Sequence, residues 1–224
     1  MTADDRMEAP LRDRSFPVLI AGPSGAGKTT IRDRLLSGED GHRFVFSVSM
    51  TTRSPRDGER DGRDYRFVDR ESFLALVGSD GMVEHAEVHG ELYGTPRENL
   101  ELAHREGAHL LLDIDVQGAR QVRTRVPAAV TIFVLPPTGE RIFERLRRRG
   151  SETDAQLRRR LASAQAELAA VSEFDYAVVN DDLDAAVQAV LAVVDAESRS
   201  IARLGAKAEA LSSMLRDEIK DRMS

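Results

Sequence analysis

A run of apolar residues that gives way to glycines and ends in a lysine and two hydroxyls, VLIAGPSGAGKTT from Val18 to Thr30, limits what this chain can fold into more than any other stretch. Gly22, Gly27, Lys28 and Thr29 satisfy the spacing G-x-x-x-x-G-K-[ST]. Val18, Leu19, Ile20 and Ala21 read as a buried strand before it, and Ile31 to Leu36 as a helix after it. In that context glycines let the backbone curl without Cβ clashes, so that N–H groups and the helix N-terminus converge on phosphate oxygens. Lys28 adds a mobile positive charge. The Thr29 hydroxyl is placed to hold Mg²⁺ against the outer phosphates of a nucleoside triphosphate. The motif alone leaves open where the phosphoryl group goes.

With 224 residues, 41% of them hydrophobic and 31% charged, the chain can bury one sizeable core. No run approaches the ~18 apolar residues of a membrane span. The start of the chain, with Asp4, Asp5, Arg6, Glu8 and Arg12, lacks a signal-peptide core, so a cytoplasmic protein with no membrane partner is expected. The absence of cysteine excludes disulfides, thiolate catalysis and cysteine-ligated metals, and the histidines show no metal-ligand spacing. A net charge of −6 argues against a broadly basic nucleic-acid surface.

Along the chain, residues 1–15 read as a flexible lead-in. Arg43 to Met50 alternates as a strand, and the polar stretch Thr51 to Val68 suits a loop and hairpin gripping an anion. A helix is predicted over Arg70 to Val77 and a strand over Met82 to Val88, followed by a turn at HGELYGTP and a helix opened by Pro96. His109 to Asp115 and Ala129 to Leu135 read as buried strands, with a helix over Gln117 to Arg125 between them. The arginine-rich segment Glu140 to Leu161 forms two helical pieces joined by a Gly-Ser turn; a short strand at Tyr176 to Val179 and a helix from Asp184 follow. Strands alternating with helices after a P-loop imply an α/β protein: a three-layer P-loop kinase fold with a mostly parallel central sheet and ligands at the strands' carboxyl ends. In the tail, Val187, Val190, Val194, Ile201, Leu204, Ala208, Leu211 and Leu215 recur at helical spacing, so the last helix is expected to run on past the core. Gly205 is its weak point, at ~1 kcal/mol against alanine. The stripe packs on its own domain or forms a seam for a homo-oligomer, and both readings stay open.

Six motifs in one order identify the resemblance: GPSGAGKTT, SVSMTTRSPRDGERDGRDYRFV, EHAEVHGELYGTPR, LLDIDVQGARQV, LRRRGSET and VVNDDLDAA. The chain resembles the guanylate kinases, which transfer the γ-phosphoryl of ATP to GMP, over about Pro17 to Glu197. The resemblance implies a domain over residues 16–197 with mobile GMP-binding (about 48–98) and lid (about 138–167) segments, and residues 198–224 as a helical extension. It implies ATP and Mg²⁺, held by the loop residues Gly22, Pro23, Ser24, Gly25, Ala26, Gly27, Lys28, Thr29 and Thr30. Asn180 matches an adenine-side contact.

For the GMP phosphate the matching residues are Arg53, Arg56, Tyr65 and Tyr93. Their chemistry fits, since guanidinium offers planar, permanently charged donors and phenols add hydrogen bonds. Glu84 matches the base-reading position, where a carboxylate accepts guanine N1–H and N2–H₂ in parallel; adenine would leave it unpaired. Ser49 and Thr95 match hydroxyls facing the base, and Asp115 an acid near N2. Asp113 stands where the family orders metal-bound water near Thr29, with a helix N-cap as the other reading. Arg145, Arg149 and Arg160 match the lid positions that neutralise phosphate charge, joining Lys28 and Arg53 in catalysis. His85 and Leu92 depart from the common pattern, which has tryptophan and tyrosine there. The rival readings are a noncatalytic guanylate-kinase-like interaction module and a P-loop kinase acting on another phosphorylated small molecule such as a ribosyl phosphate.

Overall fold

A computed structural model describes residues 15–88, 90–147 and 154–223. Strand β1 (Pro17–Ala21) is buried along its whole length. It lies at the centre of a five-stranded sheet in the order β2-β7-β1-β8-β9, formed with β2 (Phe44–Phe46), β7 (His109–Asp113), β8 (Val130–Leu135) and β9 (Tyr176–Val179). Every pairing is parallel. Leu19, Ala21, Leu110 and Leu112 on one face pack with Ala103 of helix α3 (Glu98–Arg105) and with Ala119 and Val122 of α4 (Val116–Arg125). Alternation sends Val18, Ile20 and Leu111 to the opposite face, where they too are wholly buried. A parallel sheet covered on both faces gives the expected three layers. Each large aliphatic side chain buried there contributes ~1.5–3 kcal/mol.

A second sheet, in the order β4-β3-β6-β5, is built from β3 (Met50–Thr51), β4 (Arg66–Phe67), β5 (Met82–Val88) and β6 (Glu91–Pro96). Helix α2 (Arg70–Gly78) drives Phe73 into its core beside Met50, Met82 and Leu92. Asp69 caps that helix, its side chain accepting from the Ser72 N–H. Leu92, where the common family pattern has tyrosine, therefore serves packing.

Several expectations of the sequence need correction. The predicted strand Arg43 to Met50 is two short strands in two sheets. Between them Ser47 is buried and its N–H donates to the Leu111 carbonyl, while the Asn99 amide donates to the Ser47 hydroxyl and the Val48 carbonyl. HGELYGTP is a strand over most of its length, β6, paired antiparallel with β5. Pro96 ends that strand, and α3 starts at Glu98. The predicted strand to Asp115 stops at Asp113, because the Asp115 carboxylate accepts from the Gly118 N–H and caps α4. The N-cap therefore falls on Asp115, not Asp113.

The arginine-rich segment forms α5 (Gly139–Arg147) and α6 (Asp154–Leu168), packed through Ile142, Leu146 and Ala164. The Gly-Ser turn between them, and Arg149, lie outside the described residues. The described chain divides into two compact units, Ser15–Val190 and a helical one from Leu191 on. The tail is two helices, α7 (Leu183–Ser198) and α8 (Ile201–Met223), not one continuous rod. The break falls at Arg199 and Ser200. The Ser198 hydroxyl donates back to the Val194 carbonyl, competing with helix continuation, and Gly205 sits inside α8 without interrupting it.

Candidate active site

The loop after β1 leads into α1 (Lys28–Ser37). Gly22, Gly25 and Gly27 hold φ of 137°, 88° and 91°, a region side chains avoid. Crowding fixes two of them further: a Cβ on Gly22 would strike the Val134 carbonyl, and one on Gly27 the Asn180 amide. No side chain caps α1 at Gly27, and its first turn holds no acid. The N–H groups of an uncapped helix start lack intrahelical partners, so the loop offers donors to an anion. The cradle fits a polyphosphate.

Side chains from distant elements brace this loop. Asn180 Nδ2 donates to the Ala26 carbonyl at 2.7 Å, and Arg145 Nη1 to the Ala26 and Gly25 carbonyls at 3.0 and 3.2 Å. Arg160 Nη2 donates to the Ser24 hydroxyl at 2.8 Å. Glu167 accepts from the Ser24 N–H at 3.1 Å. Arg145, Arg160 and Asn180 thus stand at the loop, on its own atoms. Lys28 Nζ folds back on the Gly22 carbonyl at 2.7 Å. The Thr29 hydroxyl donates to Asp113 Oδ2 at 3.1 Å, with Arg32 Nη1 3.6 Å from that oxygen.

A cavity of about 420 Å³ opens in front of the loop. Ser24, Gly25, Gly27, Lys28, Thr29, Thr30 and Asp113 line one side, and Ser49 and Tyr65 another. Arg32, Phe46, Glu59, Arg63 and Asp64, which the sequence reading did not single out, complete the wall. Glu59 organises the facing segment. Both its oxygens accept from Arg53, at 2.9 Å each, and Oε2 also takes the Arg56 N–H at 2.8 Å. That pairing holds the Glu59 carboxyl below the usual range. Arg53 Nε donates to the Tyr93 hydroxyl at 3.2 Å, and its guanidinium lies over the Tyr65 ring. Tyr65 meets Tyr93 edge to face, and burial raises its pKa. Arg56 is exposed; it gives its backbone N–H to Glu59, and its charge adds to the pull on that carboxyl.

Glu84 on β5 is only 7% exposed, and a buried carboxylate is costly unless hydrogen-bonded. Thr95, opposite it on β6, donates its hydroxyl to Oε1 at 2.8 Å. Oε2 lies against the first turn of α4, 3.3 Å from where a Cβ on Gly118 would stand, and Asp115 Oδ1 is at 3.4 Å from the same point. Burial lifts the Glu84 pKa; the Thr95 hydrogen bond opposes that shift and the Asp115 charge adds to it. The structure thus joins Glu84, Thr95 and Asp115, and separately Arg53, Tyr65 and Tyr93. Glu59 and Glu167 were missed because their partners are a loop arginine and a backbone N–H 143 residues away, which no periodicity announces.

A parallel sheet with a bare phosphate loop at its strand ends, and a second sheet carrying arginine, tyrosine and a buried acid, define a P-loop kinase of a small phosphorylated substrate. The guanylate kinase family model matches residues 14–197. A guanylate kinase of Thermus thermophilus is 46% identical over 209 residues, 93% of this chain and 91% of that protein. One from Corynebacterium jeikeium is 48% identical over 77% of this chain and 92% of its own length. The crystal structure of guanylate kinase from Anaplasma phagocytophilum superposes with a TM-score of 0.68 at 35% identity, covering 87% of this chain and 92% of that one. The chain belongs to the guanylate kinase family.

Proposed function

We propose that this chain transfers the γ-phosphoryl group of ATP to GMP, giving ADP and GDP. The observation that carries this reading is the buried Glu84 carboxylate, raised in pKa and backed by Thr95 and Asp115, in a chain whose phosphate loop keeps Lys28 and Thr29. Guanine presents two adjacent donors to such an acceptor, and adenine presents none in that arrangement. The GMP phosphate is assigned to Arg53, Arg56, Tyr65 and Tyr93, and Ser49 to the base.

On the donor side, the N–H groups of Gly25 and of Gly27 to Thr30 and the Lys28 ammonium take the triphosphate, the Ala26 N–H closes the turn on the Pro23 carbonyl, and Asn180 and Arg145 keep the loop open beneath it. The bond from Thr29 to Asp113 fits a metal site in which the hydroxyl is the direct ligand and the acid acts through water; Mg²⁺ there would neutralise the outer phosphates. Arg145, Arg149 and Arg160 supply further charge at the transferring group. No strong base is needed, since the attacking GMP phosphate oxygen is already anionic. Closure of the segments about 48–98 and 138–167 excludes water that would otherwise take the phosphoryl group. A coupled ADP-release assay of ATP with GMP, AMP, UMP and CMP tests the assignment: ADP should form with GMP alone, and GMP-independent hydrolysis without GDP would overturn it.

Acidity gives a second expected result. Glu84 accepts guanine's donors only as a carboxylate, so GMP affinity should fall as pH drops through its raised pKa, and binding near that value should release protons. In the ligand-free protein the same shift contributes stability that is full below about pH 4.3, the unfolded value, and lost as pH rises through the folded one. Calorimetric titration with GMP in buffers of different ionisation enthalpy checks this, and binding heats independent of buffer at every pH above the ordinary glutamate range would contradict it.

Among the described residues no helix is long and apolar enough to cross a membrane, and a cytoplasmic site of action accompanies the proposed chemistry. Met214, Leu215 and Ile219 of α8 are exposed, which supports pairing of two copies along this helix. Truncation after Ser198 should then give a monomer by sedimentation with turnover intact. A full-length chain that is already monomeric would remove the pairing.

A further inference from the structure

Strand β5, which carries Glu84, is the edge of the second sheet: β6 covers one side, and among the described residues no strand covers the other. An uncovered edge presents N–H and C=O groups that a neighbour must satisfy, and a strand held on one side only can twist. Helix α4 meets that edge with side chains. Gln121 Nε2 donates to the His85 carbonyl at 2.9 Å, and the His85 N–H donates to Gln121 Oε1 at 3.2 Å. This reciprocal pair is what an adjoining strand would offer, delivered by one amide. One turn on, Arg125 Nη1 donates to the carbonyls of Met82 and Val83 at 3.0 and 3.3 Å.

The spacing explains why the same helix does both jobs. Gly118, Gln121, Val122 and Arg125 stand at i, i+3, i+4 and i+7 and form one face. Gly118 stands beside Glu84 Oε2, Gln121 grips the next residue of the strand, Val122 joins Val83 in the core, and Arg125 ties down the strand's start. Asp115, at the head of that face, is the acid beside Glu84. The amide of Gln121 thus grips the strand one residue from Glu84, on the helix whose head carries Asp115.

We infer that Gln121 is a positioning residue for base selection, holding the β5 edge so that Glu84 stays aimed at guanine and in register with Asp115. The inference rests on the GMP reading above. It also accounts for the tolerance of His85 where tryptophan is common, because Gln121 holds the backbone of residue 85 and not its side chain.

The test is Gln121→Met, close in shape but without the amide, measured by steady-state turnover. The loss of two hydrogen bonds at a half-buried strand edge should raise KM for GMP about ten-fold, with kcat and KM for ATP within about two-fold. The same substitution placed in Glu84→Gln should lower kcat/KM for GMP by less than about two-fold, since the group it positions is already disabled. Gln121→Asn, polar but one methylene too short to bridge, should repeat the loss and serves if the methionine variant is unstable. Equal losses in both backgrounds, a parallel rise in KM for ATP, or an unchanged KM for GMP would each overturn the clamp. A wild-type enzyme that forms no GDP would remove the GMP reading itself, whereas normal turnover with indifferent Gln121 variants would remove only the clamp.

Discussion

Lys28→Ala should lower ATP-dependent formation of GDP by on the order of 10³-fold, the scale set by removing a preorganised cation or donor from a transferring phosphoryl group. The fold should survive. Lys28 Nζ satisfies the carbonyls of Gly22 and Pro23, at 2.7 and 3.4 Å, so the variant loses two partly buried hydrogen bonds worth ~1 kcal/mol each. For a domain of this size that is a fall of ~2–4 °C in melting temperature per kcal/mol. Stopped-flow turnover beside a thermal melt separates the two effects. A variant that melts within this range yet turns over within ten-fold of wild type would remove the lysine from phosphate binding.

Glu84→Gln should cost about 10³-fold in kcat/KM for GMP and leave KM for ATP unchanged. The amide keeps the volume and one acceptor but aims an N–H₂ group at guanine's own donors. A buried site built for a hydrogen-bonding partner rejects one that leaves it unpaired by ~10⁴ to 10⁵, and one defective contact of two costs part of that. Removal of a carboxylate that burial holds at raised pKa should also stabilise the ligand-free protein slightly near neutral pH, since the charged form is the one that burial disfavours. Lower GMP turnover with an equal or higher melting temperature is therefore the expected signature. Unchanged GMP affinity would mean that the base is read elsewhere.

What the sequence revealed depended on how local its causes were. The strand, glycine loop and helix from Pro17 to Ser37 were legible because each signal lies within a few residues of its effect. Alternation over Arg43 to Met50 announced a strand but could not say that its ends belong to different sheets, which Asn99 decides from about fifty residues away. HGELYGTP read as a turn because of its glycines and proline. Gly94 is there for another reason: a Cβ would lie 2.7 Å from the Glu84 carbonyl and 3.1 Å from Phe73. The same holds for the acids at Asp113 and Asp115. Spacing of two put them on one face of an assumed strand, whereas the chain turns between them, and one faces Thr29 while the other caps α4 and stands by Glu84. The motif order gathered the candidates, and only packing divides them between the two ends of the site.

The grip of Glu59 on Arg53 has a consequence for how a monophosphate arrives. Bonds to Tyr93, Ser54 and both oxygens of Glu59 occupy four of the five N–H donors a guanidinium carries, so one remains among the described residues. A phosphate seated on Arg53 with two parallel bonds must take at least one from a partner already there, either the Tyr93 hydroxyl on Nε or the Glu59 carboxylate. Either way the phosphate meets a cation that is already paired with an anion, and fewer loosely held counterions are released than two exposed arginines would shed. Added salt should weaken this half of the site less than its two arginines suggest.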